Sequence, residues 1–423
     1  MRYAIVGTGS RAEMYVRALA VDRTGTAADA ELVALADVNP RRVEVYNRLL
    51  VSHSRDPVPA YLASDFRAML DKEQVDVAIV STVDRTHDEY IVAALEAGRD
   101  AITEKPMTVD AARCRRILDA VERTGRRVTV TFNYRYNPLH ERVKELLREG
   151  AIGEVGSVHF EWLLDVQHGA DYFRRWHREK ANSGGLLVHK ASHHFDLVNW
   201  WLGAEPVEVY AYGRLFVYGD AGGERHGYAR DYERAHGAPA AEDDPFALRL
   251  ADDPRLRELY LDAEAEDGYL RDRNVFAPGV TIEDDMAVLV RYSTGATMTY
   301  HLTAYAPWEG YRIAFNGSRG RLELDVVSND RVHGTPLDGV SLRVRELWKA
   351  PVDVEVPGYA REGHGGADAR MTAMLFGGPD QPADPLGRSA SERDGALSLL
   401  TGLAANASLD NGRPVPVADL LAL

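Results

Sequence analysis

Apolar positions in the first third of the chain fall into short runs separated by helical stretches. Residues 3–6 form one such run before a glycine turn, and a helical pattern follows from 12 to about 22. Residues 31–36 read as a second strand ending at Asp37, and 41–50 as a helix. A strand at 75–80, a helix at 88–97 closed by Gly98 and a strand at 100–103 continue the alternation, the last running into Glu104-Lys105-Pro106. A helix at 108–124 and a strand at 127–131 complete it. This alternation predicts a doubly wound parallel sheet with helices on both faces.

Beyond about residue 155 the rhythm changes. Strands are expected at 155–163, 205–217, 286–293, 296–304, 311–316 and 320–325. Short turns such as Ser293-Thr294-Gly295 join several of them, which favours antiparallel pairing. Residues 184–201 read as one helix ending near Gly203. Val188, Ala191, Phe195, Val198 and Leu202 make a core stripe on it, while His189, His193, Asp196 and Trp200 make a second and Lys190 and His194 a third. Polar groups on one side of an otherwise apolar helix predict a cleft wall. The stretch around 220–277 is rich in charge and alanine. It is expected to be an insertion that lids the cleft or forms a subunit contact, the alternative being a solvated excursion with no role. The expected domains are 1–131 and 132–423.

The chain has 423 residues, 45% hydrophobic and 27% charged, enough material for two cores. Its net charge of -15 disfavours nucleic acid or an anionic membrane as partner. Cys114 is the one cysteine, so no intramolecular disulfide is expected, which fits a reducing compartment. Glycines interrupt the first apolar run too early for a signal peptide, and no run approaches the roughly 20 residues of a membrane span. A cytoplasmic location is expected.

Gly7-Thr8-Gly9-Ser10-Arg11-Ala12 follows the first strand and opens a helix, matching G-x-G-x-x-G/A. A pyrophosphate must approach such a turn closely, and the helix that follows directs N–H groups at it. Asp37 after the second strand would accept from the adenosine ribose, which favours NAD. Arg41 and Arg42 follow closely and leave NADP as the alternative.

Several further segments accompany this turn: STVDRTHDEYIVAALEAG with Thr82 and His87, Glu104-Lys105-Pro106, FNYRYNP at 132–138, IGEVGSVHFEW, GGLLVHKASHHFDLVNWWLG, IEDDMAVLVRYSTGA and GSRGRLELD. Together and in this order they resemble the Gfo/Idh/MocA family of oxidoreductases. The resemblance implies a Rossmann domain followed by an α/β domain with a large open, mainly antiparallel sheet, the substrate lying between that sheet and the nicotinamide. It implies cofactor contacts from Gly7, Thr8, Gly9, Ser10, Arg11, Asp37, Thr82, His87, Glu104 and Lys105. A homodimer or homotetramer is the expected assembly.

Hydride transfer from an alcohol carbon needs a group that takes the hydroxyl proton and donors that stabilise the developing alkoxide. Lys105 matches the family's lysine between cofactor and substrate, and Pro106 would hold it extended. The family usually carries D-x-x-x-H in the second catalytic segment, with another Asp three residues later. His193 matches the His and is the expected acid/base residue, and Asp196 matches the later Asp. His189 stands where the first Asp is usual, so it is a catalytic candidate that could itself carry charge. Tyr134, Arg135, Lys190, His194, Trp308 and His364 are candidate substrate contacts. Trp308 opens a stretch to Arg312 that interrupts a strand pair, and His364 precedes a helix from Ala367. His189, His193 and His194 also suggest a zinc site completed by His364, Asp284 or Asp285. The general-base Glu of H-E-x-x-H is missing, and no metal is assigned.

The expected activity is an NAD(P)-dependent dehydrogenase or reductase acting on a secondary alcohol of a sugar, inositol or glycoside. A redox-neutral enzyme of the same fold, which oxidises, eliminates and re-reduces a glycoside, is the first alternative. A non-catalytic nucleotide-linked sensor is the second.

Overall fold

The computed structural model describes residues 1–329, 339–359, 364–378 and 383–423. Two compact units divide the chain, and both are discontinuous. Unit 1 takes residues 1–136, 249–271 and 366–396, and unit 2 takes 137–248, 272–365 and 397–423. The expected single boundary after residue 131 is corrected in this respect: two later segments return to the first unit. The expected insertion is divided too, since only 249–271 belongs to unit 1.

In chain order the strands are β1 (Arg2–Val6), β2 (Glu31–Asp37), β3 (Ala60–Leu62), β4 (Val77–Val80), β5 (Asp100–Thr103), β6 (Val128–Val130), β7 (Val155–Asp165) and β8 (Pro206–Arg214). β9 (Asp285–Tyr292), β10 (Thr297–Ala306), β11 (Glu309–Gly317), β12 (Gly320–Asn329), β13 (Val340–Glu346), β14 (Val352–Asp353), β15 (Ala390–Ser391) and β16 (Val415–Pro416) follow.

Unit 1 is built on a seven-stranded sheet of order β15-β6-β5-β4-β1-β2-β3. Its pairs are parallel except that β15 adds an antiparallel edge to β6. β4 is buried at every position, as a central parallel strand covered on both faces must be. The first helices are α1 (Ala12–Val16), α2 (Pro40–Ser52), α3 (Phe66–Lys72), α4 (His87–Glu96) and α5 (Ala111–Thr124). Local chemistry sets their ends. Asn39 Oδ1 accepts from the Arg41 amide at 3.1 Å, with Pro40 at the first helical position of α2. Asp110 caps α5, and Gly125 ends it at a φ of 65°.

Unit 2 carries a nine-stranded sheet of order β14-β13-β12-β11-β7-β10-β9-β8-β16. Every pair is antiparallel except β7 with β10. β10 and β11 therefore lie on opposite sides of β7. Pro307 and Trp308 form a crossover, not the interruption of a strand pair expected from the sequence. Along β9, Met286, Val288, Val290 and Tyr292 are buried and the residues between them are not, the signature of a sheet covered on one face. Its first helices are α6 (Pro138–Arg148), α7 (Val166–Arg174), α8 (Lys180–Ser183), α9 (Leu186–His189) and α10 (Ser192–Leu202). α6 and α10 lie on the covered face: Trp201 Nε1 donates to the His140 carbonyl at 2.9 Å, and His140 Nε2 is 2.8 Å from the Tyr311 hydroxyl.

The single helix expected over 184–201 is two. The amides of Lys190 and Ala191 both donate to the Leu186 carbonyl, at 3.0 and 2.8 Å, which closes α9 before α10 begins. Gly184 and Gly185 enter this segment at φ of 71° and 78°. Among the described residues, no helix is long and apolar enough to cross a membrane.

Candidate functional site

In unit 1 the glycine turn is defined by contact. Gly7 sits at φ 90°, and a Cβ there would lie 2.6 Å from the Ser81 and Thr82 backbone. The loops after β1 and β4 can meet only around a hydrogen. Asp37 ends β2 and binds that turn. Its Oδ2 accepts from the Thr8 amide at 2.5 Å and the Thr8 hydroxyl at 3.0 Å, and its Oδ1 accepts from the Asn39 amide at 2.8 Å. The carboxylate stands at the strand end where Rossmann folds receive the adenosine ribose.

The Ser10 amide meets a hydroxyl oxygen, that of Tyr260, at 2.9 Å, and Ser10 Oγ is 2.7 Å from the same atom. An acceptor oxygen is therefore accommodated where a pyrophosphate oxygen would bind. A Cβ on Gly9 would meet nothing within 4 Å except that hydroxyl, at 3.5 Å. The turn fits a dinucleotide in that Gly9 keeps the backbone approachable and Asp37 stands as an acceptor, while the Ser10 amide would donate to a phosphate oxygen once the Tyr260 hydroxyl is displaced.

Arg11, Glu104 and His87, all expected at the cofactor, also make contacts within unit 1. Glu104 Oε1 accepts from Arg11 Nε at 2.7 Å and from the Tyr15 hydroxyl at 2.6 Å. Arg11 also reaches both oxygens of Asp368, at 3.1 and 3.2 Å. Burial opposes the Arg11 charge, but Glu104 and Asp368 more than offset it and raise its pKa. His87 is wholly buried, with Nδ1 2.9 Å from the Pro106 carbonyl and Nε2 3.2 Å from that of Thr82. Burial lowers its pKa although both carbonyls favour the charged form. The expectation that His87 touches the cofactor is corrected: its ring has no exposed surface and links the Thr82 loop to Pro106. The Lys105–Pro106 peptide is cis, and Lys105 is half-buried.

Tyr134 and Arg135 are also packed, at 6% and 2% exposure. Arg135 pairs with Asp394 at 3.0 Å and lies over the Phe132 ring, so the substrate contact expected of it is corrected to a structural one within unit 1.

In unit 2, His189, Lys190, His193 and His194 come from α9, the break and α10. His194 is fully buried, with Nδ1 2.7 Å from the Tyr300 hydroxyl and its ring 4.1 Å from that of Trp162. It is a core residue with a polar partner, and its expected substrate role is corrected accordingly. Lys190 Nζ lies 4.8 Å from the Trp162 ring centre. Glu309 at the start of β11 is buried, and both its oxygens are within 3.0 Å of His168 Nδ1. Burial would raise the Glu309 pKa, but the hydrogen bond and charge of His168 and the charge of Lys190 hold it below the usual carboxylate range. His168 Nε2 continues to the Tyr172 hydroxyl at 3.3 Å.

His189 packs its ring 4.3 Å from His177, which stacks on Trp176 at 3.6 Å. His193 is buried in the first turn of α10. Trp308 is half-buried beneath the Arg312 guanidinium. His364 opens a short turn before the helix Ala367–Phe376, and its side chain lies outside the described residues.

Among the described residues, no three His, Cys, Asp or Glu side chains are grouped to hold a metal. Asp284 accepts from the amides of Phe216, Val217 and Tyr218, and Asp285 faces Arg214 and His301, so both are engaged elsewhere. Sequence reasoning missed Tyr260, His168, Tyr172 and His177. Glu309 entered it only within the stretch from Trp308 to Arg312.

Comparison with known proteins identifies the family. Residues 1–132 match the NAD-binding Rossmann fold of the Gfo/Idh/MocA oxidoreductase family, and residues 144–417 match that family's C-terminal alpha/beta domain. YteT of Bacillus subtilis, described as an oxidoreductase, is 34% identical over 98% of this chain and 97% of its own. An inositol 2-dehydrogenase of Rhizobium meliloti is 29% identical over 52% of this chain and 62% of its own. An oxidoreductase of Agrobacterium radiobacter, solved with NAD+, L-tartaric acid and magnesium, shares the fold with a TM-score of 0.64 at 16% identity. That match covers 100% of this chain and 99% of the other.

Proposed function

Because the chain belongs to the Gfo/Idh/MocA oxidoreductase family, with its NAD-binding Rossmann domain, we propose that it moves a hydride between NAD and a secondary alcohol or ketone of a sugar, inositol or glycoside. One observation in unit 2 carries the substrate class. Lys190, Glu309 and His168 bring an ammonium, an ionised carboxylate and an imidazole into one network, and the His168 side chain is 40% exposed. A polyol presents hydroxyls that both donate and accept, and this set answers both needs. Bound NAD supplies the hydride acceptor or donor. Lys105 takes the alcohol proton at Nζ, with His193 as the second acid/base group. Lys190 donates to a substrate hydroxyl, with the Glu309 carboxylate as a nearby counter-charge.

A second reading has its own support. Position 189 carries a histidine packed against His177 where the family usually has a carboxylate. That residue suits a proton carrier better than a fixed counter-charge. It favours the redox-neutral cycle, in which a sugar carbon is oxidised, the aglycone eliminated and the hydride returned.

A panel of polyols, sugars and glycosides, followed by nicotinamide absorbance and product mass, tests both. NADH with a ketone product is expected. Cleaved glycoside without NADH replaces the first reading by the second, and no turnover with bound NAD overturns both.

A further inference from the structure

The segment 249–271 belongs to unit 1 and is fastened to the nucleotide end of its sheet. Tyr260 is bonded to Ser10, and Arg255 Nη2 donates to the Ser10 carbonyl at 3.0 Å while the same guanidinium pairs with Glu13. Asn39 Nδ2 donates to the Ala263 carbonyl at 2.9 Å, and Arg48 meets Glu258 at 2.9 Å.

This strap also engages the two arginines that follow Asp37. Arg42 is buried: Nε donates to the Leu259 carbonyl at 3.1 Å, and its guanidinium packs beside the Tyr260 and Tyr269 rings, 5.6 and 5.8 Å from their centres. Nη2 is 2.8 Å from Asp267 Oδ2, a charge contact without the angle of a hydrogen bond, and Nη1 is 3.7 Å from Asp37. Arg41, more exposed, faces Glu266 at 3.6 Å and Glu44 at 3.8 Å.

In a Rossmann fold the residues just after the second strand decide between the two dinucleotides. An acid accepts from a ribose hydroxyl, and an arginine receives the 2′-phosphate of NADP. Here both kinds are present on one chain, so β2 and its loop alone leave the choice open. The strap closes it. Asp267 neutralises Arg42 and Glu266 faces Arg41, while their carboxylates add to Asp37 a field that repels a phosphate and leaves a neutral hydroxyl untouched.

We propose that the strap 249–271 is a specificity element for the cofactor, and that Asp267, with Glu266, makes the protein select NAD by withholding Arg42 and Arg41 from the 2′-phosphate of NADP. The proposal rests on the dinucleotide site alone and is independent of which alcohol is oxidised.

Isothermal titration of the full chain with NAD+ and with NADP+ tests it without substrate. The Asp267→Asn variant is expected to bind NADP+ at least tenfold more tightly than wild type, with NAD+ affinity within about threefold. Adding Arg42→Gln to it is expected to remove that gain, which assigns the effect to the released guanidinium. Glu266→Gln, at an exposed pair, is expected to shift the ratio a few-fold in the same direction. This variant serves if Asp267→Asn does not fold. An unchanged ratio overturns the proposal. So do equal losses for both nucleotides, since they make Asp267 a fastener of the strap and nothing more. Wild type that binds neither nucleotide would count against the dinucleotide site itself.

Discussion

Replacing Asp37 by Asn tests whether one carboxylate both shapes the glycine turn and receives the ribose. In the structure two acceptor oxygens serve three donors: the Thr8 amide and hydroxyl on one side and the Asn39 amide on the other. An asparagine has one oxygen and an NH2 group, so whichever way it is turned, a backbone N–H faces an N–H. Leaving a buried donor unsatisfied costs about 1–3 kcal/mol, and weakening a charge-assisted bond costs a further ~1 kcal/mol. The sum is about 2–4 kcal/mol. At roughly 2–4 °C per kcal/mol for a unit of this size, the melting temperature should fall by about 4–16 °C. Differential scanning calorimetry without nucleotide measures this, and titration with NAD+ then measures the binding term. NAD+ affinity should drop by about tenfold or more, because the ribose loses a charged acceptor. A variant that melts with wild type refutes the account of the turn. One that melts early but binds NAD+ normally refutes the assignment to the ribose.

Other consequences follow from the same geometry. Glu309→Gln should lower kcat/KM by about 10–100-fold, since Lys190 and His168 lose their shared carboxylate. Because its folded pKa is depressed, Glu309 stabilises the protein above its unfolded value near 4.3, and this contribution is lost as pH falls through the folded pKa, so wild type and variant should converge in stability at strongly acid pH. His87 has a folded pKa below its unfolded one. The unfolded chain then binds more protons below about pH 6.5, stability declines as pH falls past that value, and His87→Gln should flatten the decline in denaturant midpoints. Gly402→Ala, in the helix Glu392–Asn411, would set a Cβ against the Leu187 carbonyl, and the melting temperature should fall by the equivalent of about 1–3 kcal/mol; an unchanged melt would refute the close approach of that helix to α9.

The readable parts of this protein are those whose signal is local. Gly7 and Gly9 after an apolar strand, Asp37 at the end of the next strand and the β/α alternation each need only a few neighbouring residues. β3 is three residues long and carries no period that could reveal it. The break at Lys190 and Ala191 was hidden because apolar spacing runs through it unchanged, whereas two amides converging on one carbonyl leave no mark in the sequence. His194 shows the opposite error. A polar stripe on an apolar helix describes a histidine bonded to a buried tyrosine as well as one facing a cleft. Tyr260 lies 250 positions from Ser10, and Asp267 is as remote from Arg42 in pattern; only packing brings such pairs together.

The discontinuity of unit 1 has a consequence for how the protein is made. Its sheet gains its last strand at Ala390–Ser391, and its strap emerges only at 249–271. On a ribosome adding about 5–20 residues per second, the span from residue 132 to 391 takes roughly ten to fifty seconds. During that time the nascent nucleotide-binding layers carry an open edge at β6. A gene cut after residue 132, the end of the Rossmann match, would give a chain that never leaves that state. Its tendency to aggregate should be relieved by supplying residues 366–396 in trans.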